Sequence, residues 1–100
     1  MAKKTRTSNG SIYTGRAILG NLVAMNNTAD IVTLQVFDDT TATGTAVFTA
    51  KVAAKSILQI QGDWHFDTGI YVRFLTDLLG SGGWGSPVVN AITAQYKTGS

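Results

Sequence analysis

The stretch Thr45-Ala46-Val47-Phe48-Thr49-Ala50-Lys51-Val52 decides the fold class of this chain, because an apolar side chain returns at every second position. Successive side chains of a β-strand point to opposite faces of the sheet. The apolar residues of this stretch therefore share one face, and mainly Thr and Lys occupy the other. The same alternation recurs between residues 16 and 97, where clusters of Gly, Asn, Asp and Thr interrupt it. The pattern predicts an all-β protein whose sheets each have one buried and one solvated face.

The number of such segments predicts the architecture. Seven or eight short strands, with turn residues and no amphipathic helical pattern between them, are typical of a small antiparallel β-sandwich of the jelly-roll type. Gly15 and Gly20 lie in the first long segment, where they permit a bend or a bulge. Residues 62–63 are expected to form a turn between two short strands. The expected strands cover residues 12–25, 31–37, 45–52, 56–61, 64–66, 69–75 and 87–97.

The first eleven residues differ from the rest because they have no apolar periodicity. We therefore divide the chain into an extended N-terminal arm, residues 1–11, and a β-sandwich domain, residues 12–100. Chain termini are poorly ordered unless something ties them down, and we expect a neighbouring subunit to order this arm.

The composition limits the class of protein. One hundred residues correspond to a single domain, and the lack of cysteine excludes disulfides and thiolate metal sites as sources of stability. Small all-β domains without such cross-links often gain stability from partner subunits, so we expect a homo-oligomer.

Charge is sparse and unevenly placed. The first sixteen residues contain four basic residues and no acid, whereas the remainder contains four basic residues against six Asp. Four cations on a terminal segment are fewer than a nucleic-acid binder presents, so we expect no nucleic-acid partner. The longest apolar stretch, residues 17–25, is too short to span a membrane, and polar residues follow Lys4 where a signal peptide has its apolar segment.

No arrangement of residues indicates catalysis. Residues 80–85 formally match the dinucleotide-binding pattern G-x-G-x-x-G, but Pro87 and a predicted strand follow instead of a helix. His65 is the only histidine, and no nucleophile stands out beside it. The Asp pairs at 38–39 and at 63 and 67 lie where turns favour Asp and provide few of the oxygens that calcium needs. We predict no enzyme, cofactor, metal or small-molecule substrate.

The aromatic residues suggest where a partner binds. Trp84 lies among glycines in a predicted loop, where nothing local holds a tryptophan, so we expect an exposed side chain that contacts a neighbour or a ligand. Trp64 is expected in the core, in line with Phe66. An aromatic platform of Trp64, Trp84, Tyr13 and Tyr71 that stacks on sugar rings is the alternative.

Four segments of the chain resemble the strands of small tailed-phage virion proteins. They are Gly15-Arg16-Ala17-Ile18-Leu19-Gly20, Asp30-Ile31-Val32-Thr33-Leu34-Gln35-Val36-Phe37-Asp38, Phe66-Asp67-Thr68-Gly69-Ile70-Tyr71-Val72 and Ala91-Ile92-Thr93-Ala94-Gln95-Tyr96. The resemblance implies a β-sandwich that assembles, often as a trimer, on capsids as a decoration (cement) protein or on other virion parts. The glycine-rich loop around Trp84 departs from it.

These observations predict a non-enzymatic virion structural protein, made in the host cytoplasm and located on the capsid surface as a decoration or cement protein. The expected partners are the major capsid protein and further copies of the chain, with a trimer favoured. The alternative is a carbohydrate- or receptor-binding module of a phage fibre or spike, in which Trp84 contacts the glycan.

Candidate contact residues follow from charge and aromatic character. Lys3, Lys4 and Arg6 are predicted to lie across an acidic capsid surface, with Trp84 as an apolar anchor. Deleting residues 2–10 is expected to weaken attachment without unfolding the domain. The residues assigned to the subunit interface are Tyr13, Tyr71 and Arg73.

Overall fold

The computed structural model describes residues 2–42, 45–76, 84–85 and 89–98. This part of the chain forms strands and turns and no helix, so the all-β prediction is confirmed. It accordingly has no helix that is long and apolar enough to cross a membrane. The strands are β1 (Ala2–Arg6), β2 (Gly10–Thr14), β3 (Ala17–Asn26), β4 (Val32–Asp38), β5 (Phe48–Val52), β6 (Ser56–Phe66), β7 (Gly69–Thr76) and β8 (Ala91–Thr98).

The strands form two antiparallel sheets of four. The first sheet has the order β1-β8-β3-β6, and the second sheet has the order β2-β7-β4-β5. The chain is thus a series of nested antiparallel pairs: β1 with β8, β2 with β7, β3 with β6, and β4 with β5. Eight strands nested in this way over two sheets form a jelly roll, as predicted.

The core lies between the two sheets and follows the alternation in the sequence. Val32, Leu34 and Val36 of β4 are each at most 2 % exposed. One buried cluster joins them to Ile92 and Ala94 of β8 in the first sheet. Burial of these inward-facing side chains is what holds the two layers together.

Two glycines interrupt the strand that was expected over residues 12–25. Gly15 has a positive φ of 118°, which glycine adopts without strain, and the chain turns there. The expected single strand over 12–25 is therefore two strands, β2 and β3, in different sheets. Gly20 lies where β3 shifts register against both neighbours, between Leu19 and Asn21, which confirms the predicted irregularity.

β6 is longer than predicted. The expected turn at residues 62–63 does not form, and the strand continues through it. The pairing with β3 passes from Leu19–Trp64 to Asn21–Gln61, so β6 accommodates an extra residue as a bulge.

The predicted arm lies on the edge of the first sheet. Residues 2–6 form β1, which pairs with β8 of the same chain along its whole length. The Thr5 and Thr93 hydroxyl oxygens lie 2.9 Å apart and share a hydrogen bond. The chain itself therefore orders this segment, and no neighbouring subunit is needed to do so.

Candidate functional site

The candidate functional site is the outer face of the first sheet, which points away from the core. The strand register aligns its residues in rows across the sheet, and Lys3 and Lys97 are the lysines among them. Three of the rows are Lys3–Gln95–Asn21–Gln61, Thr5–Thr93–Val23–Gln59 and Ala91–Met25–Ile57, and a further row is Lys97–Ile18–His65.

Side-chain amides connect the polar rows. Asn21 Nδ2 donates to Gln95 Oε1 at 3.4 Å, and Gln59 Nε2 donates to Asn21 Oδ1 at 3.5 Å. An amide has both donors and acceptors and binds a partner without the desolvation cost of a charge. This part of the face is suited to hydrogen bonding with another protein surface.

The third row is apolar and exposed. Met25 and Ile57 pair directly in the register, and they are 41 % and 64 % exposed. Ala91 adjoins Met25 on its other side. A contiguous exposed apolar patch is a candidate interaction surface. Sequence analysis missed this pair, although the alternation of each strand places both residues on the solvated face.

The predicted basic cluster is divided between two faces. Lys3 pairs with Gln95 on the outer face, whereas Lys4 and Arg6 point to the opposite side of β1. Both lysines are exposed. The Arg6 guanidinium donates to the Ser8 backbone oxygen at 3.4 Å and also lies against its own β1–β2 turn. Lys3 and Lys4 therefore present charge to solvent more freely than Arg6 does.

The expectation of an exposed Trp84 is wrong. Its side chain is 8 % exposed and belongs to the buried core cluster. Its ring lies 4.8 Å from the Phe74 ring, and its Nε1 donates to Asn9 Oδ1 at 2.7 Å. Residues distant in sequence supply this packing. The glycines that flank Trp84 in the sequence give no indication of it. Of the predicted loop 80–86, only Trp84 and Gly85 lie within the described residues, so the dinucleotide pattern falls largely outside them.

Two of the three residues assigned to a subunit interface lie together on the outer face of the second sheet. Arg73 Nε donates to Gln35 Oε1 at 2.9 Å, and the guanidinium lies 5.2 Å from the centre of the Phe37 ring. Tyr71 meets the same ring edge-on at 6.3 Å. Phe37 is thus covered on the outside of the sheet, where it is 2 % exposed.

Tyr13, the third residue of that set, lies elsewhere. Its ring contacts Tyr96 of β8 at 5.3 Å and packs against the core. The structure therefore separates Tyr13 from the pair on β7, and the assignment of all three to an interface stays a prediction.

The ionisable residues do not form a metal centre in the described part of the chain, where no three His, Cys, Asp or Glu side chains converge. Arg16 Nε and Asp67 Oδ1 lie 3.9 Å apart, and both side chains are largely exposed. His65 is on the same rim, beside a shallow open depression. An exposed ion pair of this kind contributes little to stability.

Asp38 has a structural role at the turn before β7. Its carboxylate accepts backbone N–H groups of Asp67, Thr68 and Gly69 at 3.2, 2.9 and 3.4 Å. Burial, the largest single influence, raises the pKa of Asp38, but these three hydrogen bonds together lower the pKa below its ordinary value. The Asp38 carboxylate is therefore already hydrogen-bonded within its own chain.

Sequence analysis also missed a buried amide. Asn26 is 1 % exposed, and its Nδ2 donates to the backbone oxygens of Asp30, Val52 and Ala53 at 2.8, 3.0 and 3.1 Å. Its Oδ1 accepts the Thr28 hydroxyl at 2.6 Å. The interval between the expected strands 12–25 and 31–37 indicated a turn here, but nothing local indicated that one amide joins three segments.

An apolar seam runs between the edges of the two sheets, where β6 and β5 lie. Phe48 and Trp64 face each other across it with ring centres 6.2 Å apart. Leu58 and Ile60 are partly buried beside them, and Val47 is 56 % exposed. Trp64 packs against the core as predicted, but it also borders an open edge.

Comparison with known proteins identifies no relative. The sequence matches no protein-family model and no curated protein, and the structure matches no solved structure.

Proposed function

We propose that this chain is a non-enzymatic virion structural protein, a capsid decoration (cement) protein that assembles with copies of itself and binds the major capsid protein. The observation that carries the proposal is the outer face of the first sheet. It combines exposed Met25 and Ile57 with uncharged polar rows and Lys3 at one corner. Jelly rolls are a recurrent fold of viral capsid proteins, which supports this class.

The binding energy of such a face comes from many weak contacts. Met25 and Ile57 would be buried against the capsid, and the amide rows would form hydrogen bonds at the rim. Lys3, on the β1 edge of this face, would meet an acidic capsid surface. Because an oligomer of the chain would bind several capsid sites at once, modest affinity per copy suffices to hold neighbouring capsomers.

The carbohydrate-binding alternative now ranks below the decoration proposal. Its central residue, Trp84, is buried against Phe74 rather than presented to a glycan. Trp64 is half-buried against Phe48. A sugar-stacking platform needs an exposed aromatic face, and these two rings do not provide one.

Particle occupancy tests the proposal. A tagged copy of the chain is expressed during growth of the phage that encodes it, virions are banded by density, and copies per particle are counted. We expect tens of copies or more on the shell. Met25→Gln/Ile57→Gln should lower occupancy at least tenfold, whereas Ile31→Gln, at another exposed apolar residue, should not. Absence of the wild-type chain from banded particles contradicts the proposal.

The role of the basic residues needs substitutions rather than a deletion. Removing residues 2–10 would delete β1 and leave β8, with its buried Ile92 and Ala94, at the edge of the sheet, so the truncated chain would lose stability. Lys3→Glu/Lys4→Glu keeps the strand and reverses its charge. We expect lower occupancy that worsens at low salt, with Lys51→Glu on β5 of the second sheet as the control.

A further inference from the structure

Each sheet has two edge strands. Three of these four edges are protected against pairing with another chain. β1 carries Lys3, Lys4 and Arg6, and an edge with charged side chains resists association. β2 is five residues long and irregular between Ser11 and Tyr13. β5 is equally short and contains a lysine. Short, bulged or charged edges are the usual protections.

β6 lacks these protections in its first half. Residues 56–61 precede the bulge and Asp63, and they contain no charged residue and no proline. In the described part of the chain the one sheet neighbour of β6 is β3, so its other edge presents unpaired backbone groups. A regular, uncharged edge is a template for another strand.

From this asymmetry we infer that β6 pairs with β6 of a second copy in an antiparallel, two-fold dimer, which joins two first sheets into one continuous sheet. The inference shares with the proposed function only the premise that the chain assembles. Its evidence is the edge of β6, which is independent of the decoration role. A two-fold contact uses the same surface on both copies, so the edge must complement itself.

The sequence of β6 complements itself in one register. Residues directly opposite each other in a sheet share a face, which excludes registers that pair inner with outer positions. When Gln59 lies on the two-fold axis, Leu58 meets Ile60 of the second copy, and both belong to the apolar seam. The same register brings Lys55 of one copy towards Asp63 of the other. A two-fold axis on Ile60 would instead place Ile57 opposite an aspartate.

The contact area suits a weak dimer that dissociates on dilution. In this register residues 56–62 of the two copies pair over about 23 Å, and the seam across two sheets is about 20 Å wide, so each copy would bury on the order of 450 Å². Standard interfaces bury about 800 Å² per partner. Besides the backbone bonds, pairing would cover Val47, Leu58, Ile60 and Trp64 at the open seam.

Sedimentation velocity of the purified full-length chain tests the dimer. We expect a species of twice the 10.6 kDa chain mass that dissociates on dilution. Gln59→Lys places two like charges together at the axis and should weaken association at least tenfold. Thr5→Lys puts the same charge on the opposite edge strand and should leave it unchanged. Thermal melts check that both variants are folded.

A charge exchange tests the register. Lys55→Asp should weaken the dimer about threefold, because an exposed pair is worth little, and Lys55→Asp/Asp63→Lys should recover the loss. Hydrogen exchange should show amides of residues 57–61 becoming protected as concentration rises. Protection that depends on capsid particles rather than on concentration would assign this edge to a capsid strand and overturn the inference.

The result is separable from the proposed function. A wild-type chain that remains a monomer at millimolar concentration, or forms a trimer, overturns the β6 dimer even if virions still bind it. A dimer sensitive to Gln59→Lys that is absent from virions supports the dimer and contradicts the decoration proposal.

Discussion

Asn26 connects three segments of the chain through one buried side chain. Its amide satisfies backbone oxygens of the turn after β3 and of the β5–β6 connection. Asn26→Ala leaves these buried acceptors without their donor, so we expect the free energy of unfolding to fall by about 2–4 kcal/mol. Urea denaturation measures the loss. Asn27→Ala, at the exposed neighbour, should stay within about 0.5 kcal/mol, and equal stability of the two variants contradicts this account.

Asp38 predicts an acid sensitivity. Its pKa is lowered in the folded chain, so the folded state stabilises the carboxylate above the ordinary pKa of Asp. That contribution is lost as the pH falls from about 4 through the lower folded pKa. Urea titrations between pH 5 and pH 2 should show a steeper loss for the wild type than for Asp38→Asn. Asp30→Asn, on an exposed loop, controls for net charge, and identical slopes for all three chains argue against the prediction.

Trp84 lies in the core cluster, so we expect it to contribute to stability. Trp84→Ala removes a ring packed on Phe74 and should lower the free energy of unfolding by about 3–5 kcal/mol. Trp84→Phe keeps an aromatic ring but loses the hydrogen bond to Asn9, so it should be intermediate. Denaturant melts decide between the roles: unchanged stability combined with lost particle binding would restore the predicted anchor.

At the scale of elements, the junction before β7 depends on a close backbone approach. A Cβ on Gly69 would lie 2.8 Å from the Tyr13 backbone oxygen and 3.0 Å from that of Asp39, and neither backbone atom can move aside easily. We expect Gly69→Ala to lower the free energy of unfolding by about 1–3 kcal/mol. Gly62→Ala, whose Cβ would make an ordinary 3.5 Å contact with the Trp64 ring, should be far milder in the same melts.

Alternation was sufficient to predict the strands that border the core. β4 has the expected inward Val32, Leu34 and Val36, because a half-buried strand repeats its environment every two residues. β1 was not recognised as a strand, since an edge strand with exposed side chains needs no apolar repeat. The bulge in β6 was taken for a turn because Gly and Asp favour both conformations.

The candidate site was less predictable than the fold. Alternation places Met25 and Ile57 on solvated faces, but only the register of β3 with β6 makes them neighbours. The core position of Trp84 depends likewise on Phe74 and Asn9, which are distant in sequence. Pairings across sheets are set by tertiary contacts, and a single sequence contains no direct record of them.

At the scale of the whole molecule, the jelly roll separates two kinds of surface. The outer face of the first sheet has exposed apolar and amide side chains, and the outer edge of β6 pairs with no strand in the described part of the chain. The basic strand β1 forms the opposite edge of the same sheet. A chain built in this way can extend its sheet at one edge while a partner covers its face.

A cryo-EM reconstruction of the virions on which we propose that the chain assembles tests the central claim most directly. We expect jelly-roll density on the outside of the shell, with Met25 and Ile57 turned towards the capsid protein. Shells that lack this density, or that bear it with the outer face of the first sheet exposed to solvent, would contradict the claim.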